Sequence, residues 1–334
     1  MENKRLEYVD FARGMGVLLM VMGHVGFGGK FSLFIHAFHM PVFFLFSGMF
    51  YREMPLRERF RRRFDTLLRP YIIWGGIAFA IWYVLHGFFG YDAGSSAISR
   101  LKHLAVTNTT GLPVAGALWF LTALFCCEMI SAALLKMMKN KPYPWTMGTA
   151  ALCLILGALM GGFLKGRTPW GIAQGMVSVF FYCLGYFANS RKLVQKHIPL
   201  VWISLAMLAW AVLIFLNGDV NLRTSVYGFL PLFVLNAVLG GYFLLYIGRE
   251  IEERPRLQAS GIWKYITGVG VNSMTYVVTN QIVLLFWKRL SEWIPGGGRL
   301  IRFQPVLLVL TLATIFAIDR LIKGKSRRIL FGRS

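Results

Sequence analysis

The stretch DFARGMGVLLMVMGH, residues 10–24, places three ionisable side chains in a segment that is otherwise apolar. Asp10 precedes Arg13 by three residues, a spacing that brings the two side chains together on one face of an α-helix. His24 follows Arg13 by eleven residues, and eleven steps of about 100° return to within about 20° of that face, with a rise of about 16 Å. Ionisable side chains inside a membrane are costly and usually functional. The stretch therefore predicts a membrane helix that carries a stripe of functional residues.

The rest of the chain has the composition of a polytopic membrane protein. Of its 334 residues, 56% are hydrophobic and only 15% are charged, whereas soluble domains carry about 25% charged residues; the mean hydropathy is +0.57. Apolar runs long enough to cross about 30 Å of hydrocarbon recur along the whole length. They lie near residues 10–28, 36–52, 70–90, 116–136, 145–163, 171–188, 199–216, 226–248, 271–290 and 303–322. The predicted fold class is all-α, a polytopic membrane helix bundle with about ten transmembrane helices.

The net charge of +22 arises mostly from lysines and arginines in the predicted connections. If the N-terminus is cytoplasmic, the arginine-rich segment 52–69 and the basic tail 323–334 fall on the same side, as the positive-inside rule requires. An even number of helices then places both termini in the cytoplasm. We attribute the basic charge to topology and to attraction by lipid headgroups rather than to nucleic-acid binding. The expected location is the plasma (inner) membrane, with the lipid bilayer as partner and the oligomeric state left open.

The sequence predicts one membrane-embedded domain over residues 1–334. We find no internal repeat, and the longest connections, near residues 91–115 and 249–270, are expected to be ordinary loops. All four cysteines fall inside apolar spans and lack the spacing of a metal site. We therefore expect neither a disulfide framework nor a bound metal.

A second informative stretch is FHMPVFFLFSG, residues 38–48. His36 and His39 are three residues apart, so the sequence predicts that both lie on one face at the outer end of the second helix. Either imidazole could bind substrate or shuttle a proton, and either could simply lie in the headgroup zone. The spacing alone leaves these alternatives open.

Two later spans also contain polar residues. Glu128 is an isolated acid in the middle of the fourth span, where a carboxylate is usually functional or paired. Asn272, Ser273, Asn280 and Gln281 give the ninth span a polar side. These side chains could bond substrate hydroxyls, or they could bridge helices.

Together, these segments resemble the integral-membrane acyltransferase family 3, whose members include sugar O-acetylases of the fucose 4-O-acetylase type. The resemblance rests on residues 10–24 and 38–48, and it extends to LLRPY at 67–71, LWFL at 118–121 and GVNS at 270–273. It covers about residues 5–322. Many members end this ninth-span segment with a histidine, where this chain has Asn280 and Gln281. A second imidazole at that place cannot be general to the mechanism here.

The resemblance implies transfer of an acyl group, usually acetyl from acetyl-CoA, to a hydroxyl of a cell-envelope carbohydrate or lipid-linked sugar. His24 is the expected general base or acyl relay, because an imidazole titrates near neutral pH. Arg13 and Asp10 would form an ion pair that orients the site or meets a CoA phosphate. The residues expected to bind CoA phosphates are Arg13, Arg63 and Arg69. Those expected to bind the acceptor are His39, His36, Glu128, Trp119, Asn272, Ser273 and Asn280.

Two other classes of protein compete with an acyltransferase. Histidine and arginine inside helices also suit a proton-coupled transporter or flippase without acyl chemistry. However, the candidate residues cluster in the first two spans and do not recur in a second half, as inverted repeats would require. A purely structural scaffold leaves Asp10, Arg13 and His24 unexplained.

Overall fold

The computed structural model describes residues 6–193, 198–294 and 298–332, and within them it contains helices and no strand. Residues 1–5 and 333–334, which belong to the predicted domain and tail, lie outside the described part. The helices are α1 (Glu7–Val25), α2 (Gly29–His36), α3 (His39–Met49), α4 (Leu56–Arg63), α5 (Arg69–Phe89), α6 (Ala97–Ala105), α7 (Trp119–Met137), α8 (Tyr143–Phe163), α9 (Ile172–Ser190), α10 (Leu200–Asn217), α11 (Leu230–Glu252), α12 (Pro255–Gln258), α13 (Gly261–Val271), α14 (Ser273–Trp293), α15 (Gly298–Arg302), α16 (Gln304–Leu321) and α17 (Gly324–Phe331). A π-helical turn, Phe64–Leu68, joins α4 to α5.

The predicted all-α membrane fold is confirmed. In the described part of the chain, seven helices are long and apolar enough to cross a membrane, or eight if the broken pair α13 and α14 is one span. Helix α1 is not among the seven, which agrees with the polar stripe that lowers its hydropathy, and α10 has a shorter apolar stretch. The number of ten spans and the cytoplasmic placement of both termini stay predictions.

The second predicted span differs from the expected continuous helix. It begins earlier, at Gly29, and it is interrupted at Ala37 and Phe38, between α2 and α3. Pro41 explains the interruption, because a proline ring clashes with the carbonyl four residues earlier, which here belongs to Ala37. His36 therefore ends one helix, while His39 begins the next.

The chain divides into two compact units, each built from separate segments of sequence. The first contains Met1–Arg52, Phe181–Leu222 and Val226–Ser273; the second contains Glu53–Phe180, Arg223–Ser225 and Met274–Ser334. Each unit is described below by itself. The single membrane domain stays a prediction.

In the first unit, α1 packs closely against α13. Gly14 lies so near the backbone carbonyl of Ile266 that an added Cβ would collide with it, and Gly270 lies in the same way against the carbonyl of Asp10. Phe11 and Trp263 stack beside this contact, with ring centroids 4.8 Å apart. The segment 249–270, expected to be an ordinary loop, therefore contributes a helix to the core, as small residues at a helix interface permit.

In the second unit, the end of the chain is fixed to α5. The ring of Phe331 in α17 stacks on Trp74 with centroids 5.7 Å apart, and Trp74 Nε1 donates to the Leu330 carbonyl at 2.9 Å. Arg327 donates to Asp319 Oδ1 at 2.7 Å. The segment predicted as a basic tail is thus largely a helix with a buried aromatic anchor.

Candidate active site

The N-terminal end of α1 holds an ion pair. Helix α1 begins with Glu7 and Asp10, where the helix dipole favours acidic side chains, and it ends at Gly26, whose φ of 95° is left-handed. Arg13 Nη1 lies 3.5 Å from Asp10 Oδ1, and both side chains are largely buried. The Arg13 guanidinium also lies 5.4 Å from the centre of the Phe50 ring. The arginine is therefore held between an acid and an aromatic face.

A cavity of about 500 Å³ adjoins this ion pair within the first unit. Asp10, Trp263 and Thr267 line it, together with Glu7 and other residues of α12 and α13. The Glu7 carboxylate accepts a hydrogen bond from Trp263 Nε1 at 3.4 Å and another from the Gln258 side chain in α12. The cavity is thus large enough for a flexible chain and lies beside Asp10.

Three histidines share one neighbourhood near the C-terminal end of α1. His24 lies in the last turn of α1 and is partly exposed. The rings of His36 and His39 meet edge to face, with centroids 5.2 Å apart. A Cβ added to Gly23, the residue before His24, would lie 3.9 Å from the side chain of Ile35, four residues before His39. The predicted approach of His36 and His39 is observed, although the two lie on either side of a helix break.

The hydrogen bonds of two of these histidines define which ring nitrogen carries a proton. His39 Nδ1 lies 2.7 Å from the Ile35 carbonyl oxygen, and His36 Nδ1 lies 2.7 Å from the Ser32 carbonyl oxygen. A carbonyl oxygen can only accept, so each Nδ1 carries a hydrogen and donates it. In the neutral ring, Nε2 is then the nitrogen with the free lone pair.

The other candidates of the first unit lie elsewhere. A helical rise of about 16 Å separates Arg13 from His24, so the ion pair and the imidazoles lie at different ends of α1. Asn272 and Ser273 lie at the break between α13 and α14, where the Asn272 N–H donates to the Gly268 carbonyl at 3.0 Å. Asn272 directly follows Val271, which lines the cavity.

In the second unit, Glu128 is bound by two arginines of α4. Arg63 Nε pairs with Glu128 Oε2, and Arg59 Nη1 lies 3.8 Å from the same oxygen. The side chains of Glu128 and Arg59 are 1% and 3% exposed, whereas that of Arg63 is 33% exposed. Glu128 thus lies against two guanidinium groups from one helix. Sequence reasoning missed Arg59, and the available signal was its four-residue spacing from Arg63.

The remaining candidates of the second unit are less concentrated. Arg69 pairs with Asp65, one turn away, and both side chains are substantially exposed. Trp119 is the first residue of α7 and is buried. Within the described part of the chain, neither side chain forms a hydrogen bond or an ion pair with the cluster at Glu128, so their predicted roles rest on the sequence alone.

The polar side of α14 includes two neighbouring amides with different partners. Asn280 Nδ2 donates to the carbonyls of Tyr276 and Val277 in its own helix, both at 2.8 Å. Gln281 accepts a hydrogen bond from the Ala117 N–H at 2.9 Å, just before the start of α7. Gln281 therefore bridges separate segments, which is one of the two roles left open for this polar side.

Within the described residues, no group of three or more histidine, cysteine, aspartate or glutamate side chains has a geometry that could hold a metal ion. The cysteines there are all free thiols.

Comparison with known proteins gives one match. A family model described as an acyltransferase domain, that of acyltransferase family 3, matches residues 6–320, which is nearly the whole chain. No curated protein and no solved structure gives a significant match. The family favours the enzyme over the transporter hypothesis and confirms the resemblance found in the sequence. The chain therefore belongs to acyltransferase family 3 and is a multi-pass membrane protein that transfers acyl groups.

Proposed function

We propose that this acyltransferase moves an acetyl or short acyl group from acetyl-CoA to a hydroxyl of a cell-envelope carbohydrate at the plasma membrane. The observation that best supports the proposal is that the last turn of α1, which carries His24, packs at Gly23 against Ile35, next to the paired rings of His36 and His39, in a member of an acyltransferase family. O-acetylation needs a base for the hydroxyl proton or a nucleophile that carries the acetyl group. A neutral imidazole can do either.

His24 is the proposed catalytic residue, as general base or as acyl relay. It lies in the last turn of α1 and shares its surroundings with His39. Arg13 and Asp10 are proposed to orient the other end of α1, beside the cavity, where the pair fixes a guanidinium next to a space large enough for a flexible chain. Among acceptor residues, His36, His39, Trp119, Asn272 and Ser273 stay candidates, while the hydrogen bonds of Asn280 weaken its candidacy.

The arginines of the second unit are proposed to bind phosphate groups of CoA. Arg59 and Arg63 present two guanidinium groups to one carboxylate, Glu128, and arginine forks suit phosphate oxygens better than lysine does. Arg69 is a second candidate because its pair with Asp65 is exposed and can exchange partners. Substituting Arg63 by glutamine should weaken binding of acetyl-CoA but leave binding of S-acetyl-pantetheine, which lacks the diphosphate, unchanged.

The test of the proposed function is thioester turnover. Purified protein in detergent should release free CoA from acetyl-CoA when a panel of methyl glycosides is supplied, and the product glycoside should gain the mass of an acetyl group. His24→Ala should lower the rate about 10²–10⁴-fold, as expected for a lost general base. Arg13→Lys should also lower it, because lysine lacks the planar fork. His103→Ala, a histidine outside the proposed site, is the matched control.

The assignment would be refuted if wild type showed no turnover, or if His24→Ala kept more than about a tenth of the wild-type activity, since the expected loss is at least about 10²-fold.

The proposed topology has its own test. Single cysteines at Ser32 and Arg57 are introduced into a variant that lacks the native cysteines. An impermeant maleimide added to intact cells should label position 32 and spare position 57. The reverse pattern would place both termini outside.

A further inference from the structure

We propose that His39 is a second catalytic imidazole, whose Nε2 takes the proton of the acceptor hydroxyl, and that His24 carries the acyl group. This inference rests on the proposed function and divides its two chemical tasks between two residues. The argument has three parts: the protonation of the His39 ring, the position of that ring, and the helix break that holds it.

The hydrogen bond of His39 leaves its Nε2 free to act as a base. Nδ1 donates to the Ile35 carbonyl at 2.7 Å, so the neutral ring carries its hydrogen on Nδ1 and its lone pair on Nε2. Such a bond also fixes the orientation of the ring, as a catalytic base requires. His36 makes the same kind of bond to Ser32. However, His36 is partly exposed, whereas only 5% of His39 is exposed.

The position of His39 suits proton transfer to and from His24. A Cβ added to Gly23, the residue before His24, would lie 3.9 Å from Cδ1 of Ile35, the residue whose carbonyl binds His39. The rings of His36 and His39 meet edge to face at a centroid distance of 5.2 Å. We assign His36 a positioning role, because it contacts His39 and is itself tied to Ser32 through both the carbonyl and the hydroxyl.

The break between α2 and α3 is what makes the His39 bond available. At this break the Ile35 carbonyl accepts a hydrogen bond from the Phe38 N–H at 3.3 Å, which makes a tighter turn than the usual helical pattern. The His39 imidazole donates a second, shorter hydrogen bond to the same carbonyl. Pro41 imposes the break two residues after His39. The geometry of the base is thus built into the backbone and does not depend on a mobile side chain.

The two steps balance in atoms and protons. In the first, a ring nitrogen of neutral His24 bonds to the acetyl carbon, the C–S bond breaks, and the sulfur leaves with the electron pair and takes the proton released by His24. This gives CoA thiol and acetyl-imidazole. In the second, the acceptor oxygen bonds to the acetyl carbon while its proton passes to His39 Nε2, and the C–N bond to His24 breaks. His39 then returns the proton to His24.

The experiment compares two acceptors that differ in their need for a base. A methyl glycoside hydroxyl needs its proton removed, whereas hydroxylamine is neutral at pH 7 and attacks an acyl group without such help. His39→Asn keeps a side-chain donor near the position of Nδ1 but has no basic nitrogen. We expect this variant to lose about 10²–10⁴-fold in acetyl transfer to the glycoside. It should form acetohydroxamate from acetyl-CoA at the wild-type rate, measured above the uncatalysed reaction.

Controls and contrary results are defined by the same pair of assays. His24→Ala should lose both activities, because no acyl carrier remains. His86→Asn is the matched control: His86 Nδ1 also lies near a carbonyl oxygen, that of Tyr91 at 3.0 Å, but in the second unit. It should keep both activities.

A structural role for His39 predicts instead that His39→Asn and His39→Gln lose glycoside transfer and hydroxamate formation together. That parallel loss of both reactions would overturn the proposal. Retained glycoside transfer in His39→Asn would overturn it as well. Failure of the proposed function is distinct, since wild type itself would then form neither product.

Discussion

Replacing Glu128 by alanine removes the carboxylate that Arg59 and Arg63 both contact. Arg59, whose side chain is 3% exposed, then loses this carboxylate while it stays buried, whereas Arg63, at 33%, can turn toward its exposed side. Breaking a buried ion pair by removing one partner costs about 3–5 kcal/mol, because the other charge stays buried without compensation. We therefore expect Glu128→Ala to lower the free energy of unfolding by about 3–5 kcal/mol. Most of this loss should come from Arg59.

Unfolding in dodecyl maltoside micelles with increasing sodium dodecyl sulfate, followed by tryptophan fluorescence, measures this loss. The additional substitution Arg59→Met should restore most of the stability, since apolar replacement of a buried pair is often neutral. Glu58→Ala is the control on the same helix: it removes the pair of Glu58 with Arg62, whose side chains are 45% and 64% exposed, and such a pair contributes about 0–1 kcal/mol. If Glu128→Ala were no more destabilising than Glu58→Ala, the burial argument would be refuted.

Three further predictions concern the packing and the loops. Gly14→Ala should destabilise by about 1–3 kcal/mol in the same assay, because its Cβ meets the backbone of α13, whereas Gly76→Ala, with open space around it, should not destabilise. Phe331→Ala should cost about 3–5 kcal/mol, since the ring is fully buried against α5; an unchanged unfolding curve would show that α17 is not anchored. Burial raises the pKa of Asp92, but hydrogen bonds from Trp82, Arg100 and Ser95 together lower it more, so the net shift of this pKa is downward. Asp92 then adds stability above about pH 4 that is lost as the pH falls through its folded pKa. The melting temperature of Asp92→Asn should therefore vary less between pH 3 and pH 5 than that of wild type.

The parts of the site that follow from spacing along one helix could be predicted from the sequence. Asp10 and Arg13 pair because a separation of three residues brings side chains together on any α-helix. The approach of His36 and His39 was also expected, although for a different reason. The helix is interrupted between them, and the ring contact depends on the turn at Ala37 rather than on a shared face.

The parts that depend on contacts between distant segments could not be predicted. Arg59 lies in a run of arginines that is typical of a solvated cytoplasmic face. Its side chain is buried because it lies against Glu128 of α7, a contact between distant segments of sequence. Gln281 and Asn280 are adjacent and similar in chemistry, so the sequence could not tell which of them reaches Ala117. Helix α13 has no long apolar run of its own, and its packing against α1 depends on glycines in both helices.

The local irregularities of the first unit coincide with its candidate chemistry. Gly14 and Gly270 allow α1 and α13 to approach until backbone meets backbone, and this contact lies beside the cavity next to Asp10. Pro41 interrupts a helix and thereby leaves the Ile35 carbonyl to orient His39. Departures from regular helix geometry are expected at functional sites, because the rest of the fold compensates for their cost. The two departures lie at opposite ends of α1, one beside a guanidinium and the other among imidazoles. Helix α1 thus separates a guanidinium paired with a carboxylate from an imidazole by a rise of about 16 Å. Under the proposed function, binding of the donor and transfer of protons therefore fall to different ends of one helix.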